Sequence, residues 1–292
     1  MKYRIISKQI VASDVKRLDI VAPSIVKHFK PGQYVSISPE EGCERIPLSI
    51  IDVDYDKKTI ALIFKEVGET TRKLGQIPIN ESVFSILGPL GQPATIEKKG
   101  TVLCVAAGIA TAQMLPIARA FKNAGNKVIG IVGAKTKKNL MLEAQMRLVC
   151  NRIFITTEDG SYERKGVVTN MIERVIEQQS VDWVYAIGSV DMIEAVTRLT
   201  AEHHIPIRVH LNPIMVDCIG VCGACRVCVD QREVLACIEG PEFDGHKIDF
   251  DYYRIRCNAY EVSQWNNEKY MFSQKRKEEG IFRKFLTGIL KN

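Results

Sequence analysis

Five of the nine cysteines, Cys218, Cys222, Cys225, Cys228 and Cys237, fall within twenty residues. That density leaves few folds open. In an oxidising compartment it spells a disulfide framework, and in a reducing one a metal site. The spacing favours metal. Cys222 and Cys225 are separated by two residues, and Cys237 lies twelve beyond Cys225. Plant-type iron–sulfur sites use C-x4-C-x2-C followed by a distant cysteine. Three of those four positions are met here, and the first holds Asp217 instead of cysteine. Gly220 and Gly223 suit a loop that wraps a cluster, because backbone N–H groups must face sulfide through unusual dihedrals. Structural zinc is the alternative, although a zinc ribbon shows two separated C-x2-C pairs and this chain has one. Cys228 reads as a small buried hydrophobe on the strand leaving the loop.

The rest of the chain places this module at the end of a larger molecule. The 292 residues are 46% hydrophobic and 25% charged, enough for two domains and a small third unit. The start, Met1-Lys2-Tyr3-Arg4-Ile5-Ile6, reads as a strand and not as a signal peptide. No apolar run approaches the eighteen residues of a membrane span, so a soluble, cytoplasmic protein is expected. The net charge of +6 gathers in the tail around Lys275, Arg276, Lys277, Arg283, Lys284 and Lys291. So modest a balance suits an acidic protein partner, and no nucleic-acid partner is expected.

Residues 1–97 read as short strands at close spacing, among them Val15–Val21, Tyr34–Ile37, Leu48–Ile51 and Ile60–Phe64. Turns fall at Pro31-Gly32, at residues 52–56 and at residues 88–91. This pattern predicts a small antiparallel barrel. From residue 98 to 206 the rhythm alternates. Strands are expected at 101–106, 127–132, 152–157 and 183–187, and helices at 112–124, 140–149, 167–178 and 192–203. Such alternation predicts a doubly wound parallel sheet. The pattern stops after Pro206. Residues 207–262 form the cysteine-rich module, and 263–292 a basic extension.

The residues 211–217 (Leu-Asn-Pro-Ile-Met-Val-Asp), the run from Cys222 to Arg226, and the segment from Ala236 to His246 resemble one family. It is the small subunit of NADH-dependent ferredoxin:NADP+ oxidoreductase, also known as sulfide dehydrogenase subunit. That family is related to the electron-transfer subunit of dihydroorotate dehydrogenase and, more remotely, to ferredoxin–NADP reductase. The resemblance covers residues 1 to about 255. It implies a flavin and iron–sulfur oxidoreductase with an FAD-binding β-barrel, an NAD(P)-binding α/β domain and a C-terminal [2Fe–2S] module. It also implies a nicotinamide nucleotide, NAD(H) or NADP(H), as substrate, a larger flavin and iron–sulfur partner subunit, and ferredoxin reached through the complex. The cluster ligands it implies are Asp217, Cys222, Cys225 and Cys237. Cys218 stands where the family has glycine, which leaves Cys218 open as an alternative first ligand.

A flavin asks for a cation at its pyrophosphate and a hydroxyl near its reacting nitrogen. Arg45 and Ser49, in Arg45-Ile46-Pro47-Leu48-Ser49, meet these needs at the place where the family carries its FAD signature. The resemblance puts a pyrophosphate turn at Gly68, Thr70 and Thr71, just after Phe64 and Lys65. The same threonines also serve as a plain helix cap. For the nucleotide, the glycine-rich turn of the family appears as Ala106-Ala107-Gly108-Ile109-Ala110-Thr111. Three glycines are replaced by alanine, and Gln113 replaces a proline. Each added methyl narrows the approach to a phosphate. Two readings stay open: retained nucleotide binding, or a non-catalytic electron conduit or assembly subunit. Glu158, Asp159, Gly160, Gly188 and Met192, after the third and fourth strands, would line the cleft. Lys135, Lys137 and Lys138 leave NAD against NADP undecided. In the tail, Ile281, Phe282, Phe285, Leu286, Ile289 and Leu290 share one helical face, which suits a partner contact.

Overall fold

The computed structural model describes residues 3–12 and 14–259; the basic tail lies outside the described residues. The first sheet contains β1 (Tyr3–Ala12), β2 (Val15–Val21), β3 (Tyr34–Ser38), β4 (Ile46–Asp54), β5 (Thr59–Lys65), β6 (Ser82–Val83) and β7 (Ser85–Leu90), with short helices α1 (Pro23–His28) and α2 (Glu69–Gln76). Its order is β6-β1-β2-β5-β4-β3-β7, antiparallel throughout. The two edge strands are separated by Phe84 alone, so the edges meet and the sheet is a nearly closed barrel. Ile5, Leu18, Ile37, Leu62, Phe64 and Leu74 fill its interior. β5 is buried on both faces. Alternation sends Ile60, Leu62 and Phe64 inward, while Ala61 and Ile63 face Ala112 and Met141 of the next unit.

The second sheet begins with β8 (Thr101–Ala107), α3 (Ala110–Asn123), β9 (Lys127–Ala134), α4 (Glu143–Val149), β10 (Arg152–Thr157) and β11 (Arg164–Lys165). It continues with α5 (Val168–Gln178), β12 (Trp183–Ile187), α6 (Val190–Glu202) and β13 (Ile207–His210). The order β11-β10-β9-β8-β12-β13 is wholly parallel. Helices α3 and α4 cover one face, and α5 and α6 the other. The winding reverses beside β8, which opens a crevice at the carboxyl ends of the strands. Two expectations shift. Helix α4 starts at Glu143 and not at residue 140, because Leu142 adopts the left-handed region at φ +55°. The parallel sheet also continues past Pro206. Strand β13 has no helix after it, so alternation could not reveal it.

The cysteine-rich segment forms a hairpin, β14 (Arg226–Val229) and β15 (Arg232–Leu235), then β16 (Glu242–Asp244) and α7 (Phe250–Cys257). Asp230 and Gln231 both take positive φ, +52° and +62°, as a two-residue hairpin turn of this twist requires. β16 pairs antiparallel with β13 and so joins the module to the parallel sheet. Arg254 of α7 bonds Asp191 of α6 at 2.9 Å, and the Tyr253 hydroxyl accepts the N–H of Asn212 at 2.9 Å.

Candidate functional site

The loop from Asp217 to Cys225 turns its backbone donors inward. Gly220 (φ +84°), Gly223 (φ +67°) and Cys218 (φ +65°) supply the left-handed residues that allow it. The N–H groups of Ile219 (3.0 Å), Val221 (2.8 Å) and Cys222 all donate to the Asp217 carboxylate. Ala224 donates to the Cys222 sulfur at 3.4 Å, and Cys237 to the Cys225 sulfur at 3.4 Å. Partial burial works against ionisation of Asp217, but the N–H donors of Ile219, Cys222 and Val221 hold its carboxyl below the usual range. This is a nest that favours negative charge.

Cys218, Cys225 and Cys237 are buried, and Cys222 is exposed. Burial, with the Cys225 thiol alongside, pushes the Cys237 thiol up. A thiol so raised ionises readily only where a cation neutralises it. Among the described residues, no three His, Cys, Asp or Glu side chains converge on one ion. A two-iron cluster asks instead for two pairs of donors. A nest of N–H groups beside soft sulfur donors fits an anionic iron–sulfur cluster. Cys218 packs in the core shared with Tyr34, Cys225 and Cys237, and both Asp217 oxygens accept N–H groups of the loop. Cys228, on β14, is half-buried.

Beside this loop lies a cavity of about 220 Å³, lined among others by Tyr34, Pro47, Ser49, Gln113, His210 and Asn212. Three parts of the chain meet in one polar clasp. The Gln113 amide nitrogen donates to the Ser49 hydroxyl oxygen at 2.9 Å and to the Asn212 side-chain oxygen at 3.0 Å. With that acceptor site occupied, the Ser49 hydroxyl is free to donate elsewhere. Tyr34 forms the wall between cavity and thiol loop. Its ring lines the cavity, and its hydroxyl donates to the Cys237 carbonyl at 3.3 Å. Farther along the barrel, Arg45 donates to the Ser85 hydroxyl at 2.7 Å, while its second terminal nitrogen is buried without a partner. An orphaned guanidinium N–H beside a barrel strand fits an absent anion such as a pyrophosphate.

At the turn before α2, Thr71 and Gly68 bond reciprocally: the Thr71 hydroxyl accepts the Gly68 N–H at 3.0 Å and donates to the Gly68 carbonyl at 2.9 Å. A side chain added at Gly68 would meet nothing within 4 Å, so its backbone stays open to a ligand. Thr70 is half-buried there. Leu48 is partly buried against the barrel core, and Phe64 lies inside it.

A second cavity, of about 570 Å³, opens at the carboxyl edge of the parallel sheet. It gathers Lys65, Gly108, Ile109, Glu158 and Met192. Its size lies within the range of small-molecule sites. Gly108 takes φ +57°, and a side chain there would point into open space. Ala106 and Ala110 are buried in the core under α3, so their methyls do not crowd the cleft, whereas Ala107 lines it. Thr156 lines the cleft with an unpartnered buried hydroxyl, and Thr111 has another in the first turn of α3. Gly188 leaves room for the Met192 sulfur, which a side chain there would meet at 2.5 Å. Asp159 accepts from the N–H of Ser161 at 2.9 Å, and Gly160 (φ +77°) lies under the Lys165 stem; both shape the loop after β10. Lys65 pairs with Asp14 at 2.9 Å.

The structure thus assembles two cavities and a thiol loop from residues that sequence reasoning treated separately. It also brings in Gln113, His210 and Asn212, for which spacing offered no role. Gln113 meets Ser49 across sixty-four positions and Asn212 across ninety-nine.

A barrel joined to a doubly wound sheet, with a cavity at the barrel's inner edge and a cysteine nest beside it, is the architecture of a flavin-dependent reductase fused to an iron–sulfur module. The family model for the iron–sulfur cluster binding domain of dihydroorotate dehydrogenase B matches residues 212–249. A Thermotoga maritima protein, the electron transfer subunit homolog of dihydroorotate dehydrogenase B (NAD(+)), is 38% identical over 88% of this chain and 90% of its own length. The Desulforamulus reducens electron transfer subunit is 28% identical over 84% of this chain and 96% of its own length. A solved chain of the NADH-dependent reduced ferredoxin–NADP oxidoreductase superposes with a TM-score of 0.85, at 36% identity, over 93% of this chain and 98% of that one. The chain belongs to the family of dihydroorotate dehydrogenase B electron transfer subunits and their homologues.

Proposed function

We propose that this chain is the FAD- and [2Fe–2S]-carrying electron-transfer subunit of a heteromeric oxidoreductase, exchanging electrons with a nicotinamide nucleotide. The observation that carries the reading is the shared wall. Tyr34 lines the 220 Å³ cavity and bonds the backbone of Cys237, so a ring held in the cavity lies next to the thiol loop. When bound, FAD supplies the exchange between a hydride pair and single electrons, and a [2Fe–2S] cluster carries electrons singly.

The chain's own residues bind, orient and shield. Arg45 offers its free N–H to the flavin pyrophosphate, with Gly68, Thr70 and Thr71 at the turn. Ser49, held by Gln113, directs its hydroxyl at the ring. Asp217, Cys222, Cys225 and Cys237 hold the cluster, and the N–H groups of Ala224 and Cys237 hydrogen-bond the sulfurs of Cys222 and Cys225. The 570 Å³ cleft takes the nucleotide against Gly108, with Glu158 and Met192 on its rim. The core placement of Ala106 and Ala110 supports retained binding over a degenerate cleft. By this reading the FAD barrel spans residues 1–97, and the nucleotide domain starts at residue 98 and takes in β13, with the cluster module following to residue 262.

The partner is a larger flavin and iron–sulfur subunit, through which electrons reach ferredoxin. Its docking face is the apolar rim of the thiol loop, where Val216, Ile219, Val221 and Ile238 are exposed. All nine cysteines are free, which suits a reducing cytoplasm. No helix among the described residues is long and apolar enough to cross a membrane.

The test is anaerobic. The chain is reconstituted with FAD, iron and sulfide, and its visible spectrum is followed as NADH and then NADPH are added. Bleaching of the flavin band is expected, and the more effective nucleotide sets the specificity. A flavin and cluster spectrum unmoved by either nucleotide, yet bleached by dithionite, would overturn the nucleotide assignment in favour of a conduit.

A further inference from the structure

His210 ends β13 and is buried at 3% exposure, yet no family expectation or motif gave it a part. Alternation along β13 sends Ile207 and Val209 into the core beneath α6 and turns His210 to the opposite face, where its ring lines the 220 Å³ cavity. Its Nδ1 is enclosed without a hydrogen-bond partner. The cross-strand neighbour Glu242 does not serve it: that carboxylate pairs with Arg208 at 3.6 Å and accepts the N–H of Thr95 at 3.0 Å. Burial alone pushes the imidazole down to about 4, so at neutral pH the ring carries one N–H and no charge. A buried polar side chain left unpaired beside a cavity points to a partner that belongs in the cavity.

We infer that His210 is a flavin-contacting residue, donating its ring N–H to the isoalloxazine ring from the wall of the cavity that Ser49 also lines. The inference rests on the cavity's being the flavin site. A neutral donor set against the electron-rich pyrimidine edge favours the reduced ring, which carries more negative charge. It therefore strengthens binding and raises the flavin midpoint potential.

The test uses the full chain with FAD alone. His210→Leu is expected to weaken FAD binding about five- to tenfold and to lower the flavin midpoint potential. His210→Gln, which keeps a neutral donor, is expected to restore most of both. A Leu variant that binds FAD as tightly as wild type, at an unchanged potential, overturns the inference. Should the Leu variant fail to fold, wild-type protein labelled with ¹⁵N-histidine decides. The His210 ring nitrogens shift on FAD addition if they contact it, and stay put if they do not. A wild-type chain that takes up no FAD overturns the cofactor reading itself, whereas normal uptake with an unmoved His210 overturns this inference alone.

Discussion

His210 carries a stability consequence of its own. The unfolded imidazole protonates near 6.5, while the native one resists until about 4. Between those values the unfolded chain binds more protons, so stability falls as the pH drops from 6.5 to 4 and is unaffected by this group above 6.5. The full loss is about 3 kcal/mol. Urea unfolding at a series of pH values is expected to show that slope in the wild type and to lack it in His210→Gln. Asp217 gives a second expectation. A carboxylate donates less electron density to iron than a thiolate does, so Asp217→Cys lowers the cluster midpoint potential, read by a redox titration followed by electron paramagnetic resonance. The two residues differ in legibility. Asp217, Cys222 and Cys225 are neighbours in the chain, so their spacing announces the loop. His210 lies between a valine and a leucine in a strand and shows its character only through a cavity built from five segments of the chain.

At the scale of elements, β5 is the piece most dependent on packing. Its inward residues sit in the barrel and its outward residues against α3, so it joins two cores. Phe64→Ala is expected to cost about 3–5 kcal/mol, measured by denaturant unfolding, and to loosen the barrel before the parallel sheet. Most strands of both sheets were legible because a two-residue or buried apolar pattern repeats over several positions. Strand β13 was not, since four residues without a following helix give no rhythm. Helix α4 was read three residues too long, because its apolar periodicity runs through Leu142, whose backbone turns left-handed before the helix begins. The alanines of the nucleotide turn show a related limit. Composition suggests crowding at Ala106 and Ala110, and only the strand and helix geometry shows both methyls turned to the core.

For the whole molecule, the proposed docking face is the apolar rim around the thiol loop. Val221 is 81% exposed at its crest. Val221→Asp is expected to abolish capture of the larger subunit in a pull-down while leaving flavin and iron content unchanged; undiminished capture would remove that face from the interface. The organisation into barrel, parallel sheet and cysteine-rich module was legible, since each has its own pattern. How they touch was not, because the contacts run through single residues far apart in the chain.

One such contact governs more than stability. Gly91 adopts φ +74°, and a methyl group there would meet the Tyr34 ring at 2.7 Å and Pro241 at 3.0 Å. The barrel, the Tyr34 ring and the segment carrying Cys237 are therefore pressed together without slack. Tunnelling of an electron weakens exponentially with the gap it crosses. A wall held this tightly through Tyr34 fixes the gap between the proposed flavin cavity and the thiol loop. In the proposed path, nucleotide binding at the distant cleft can then set when electrons arrive without altering how fast they cross.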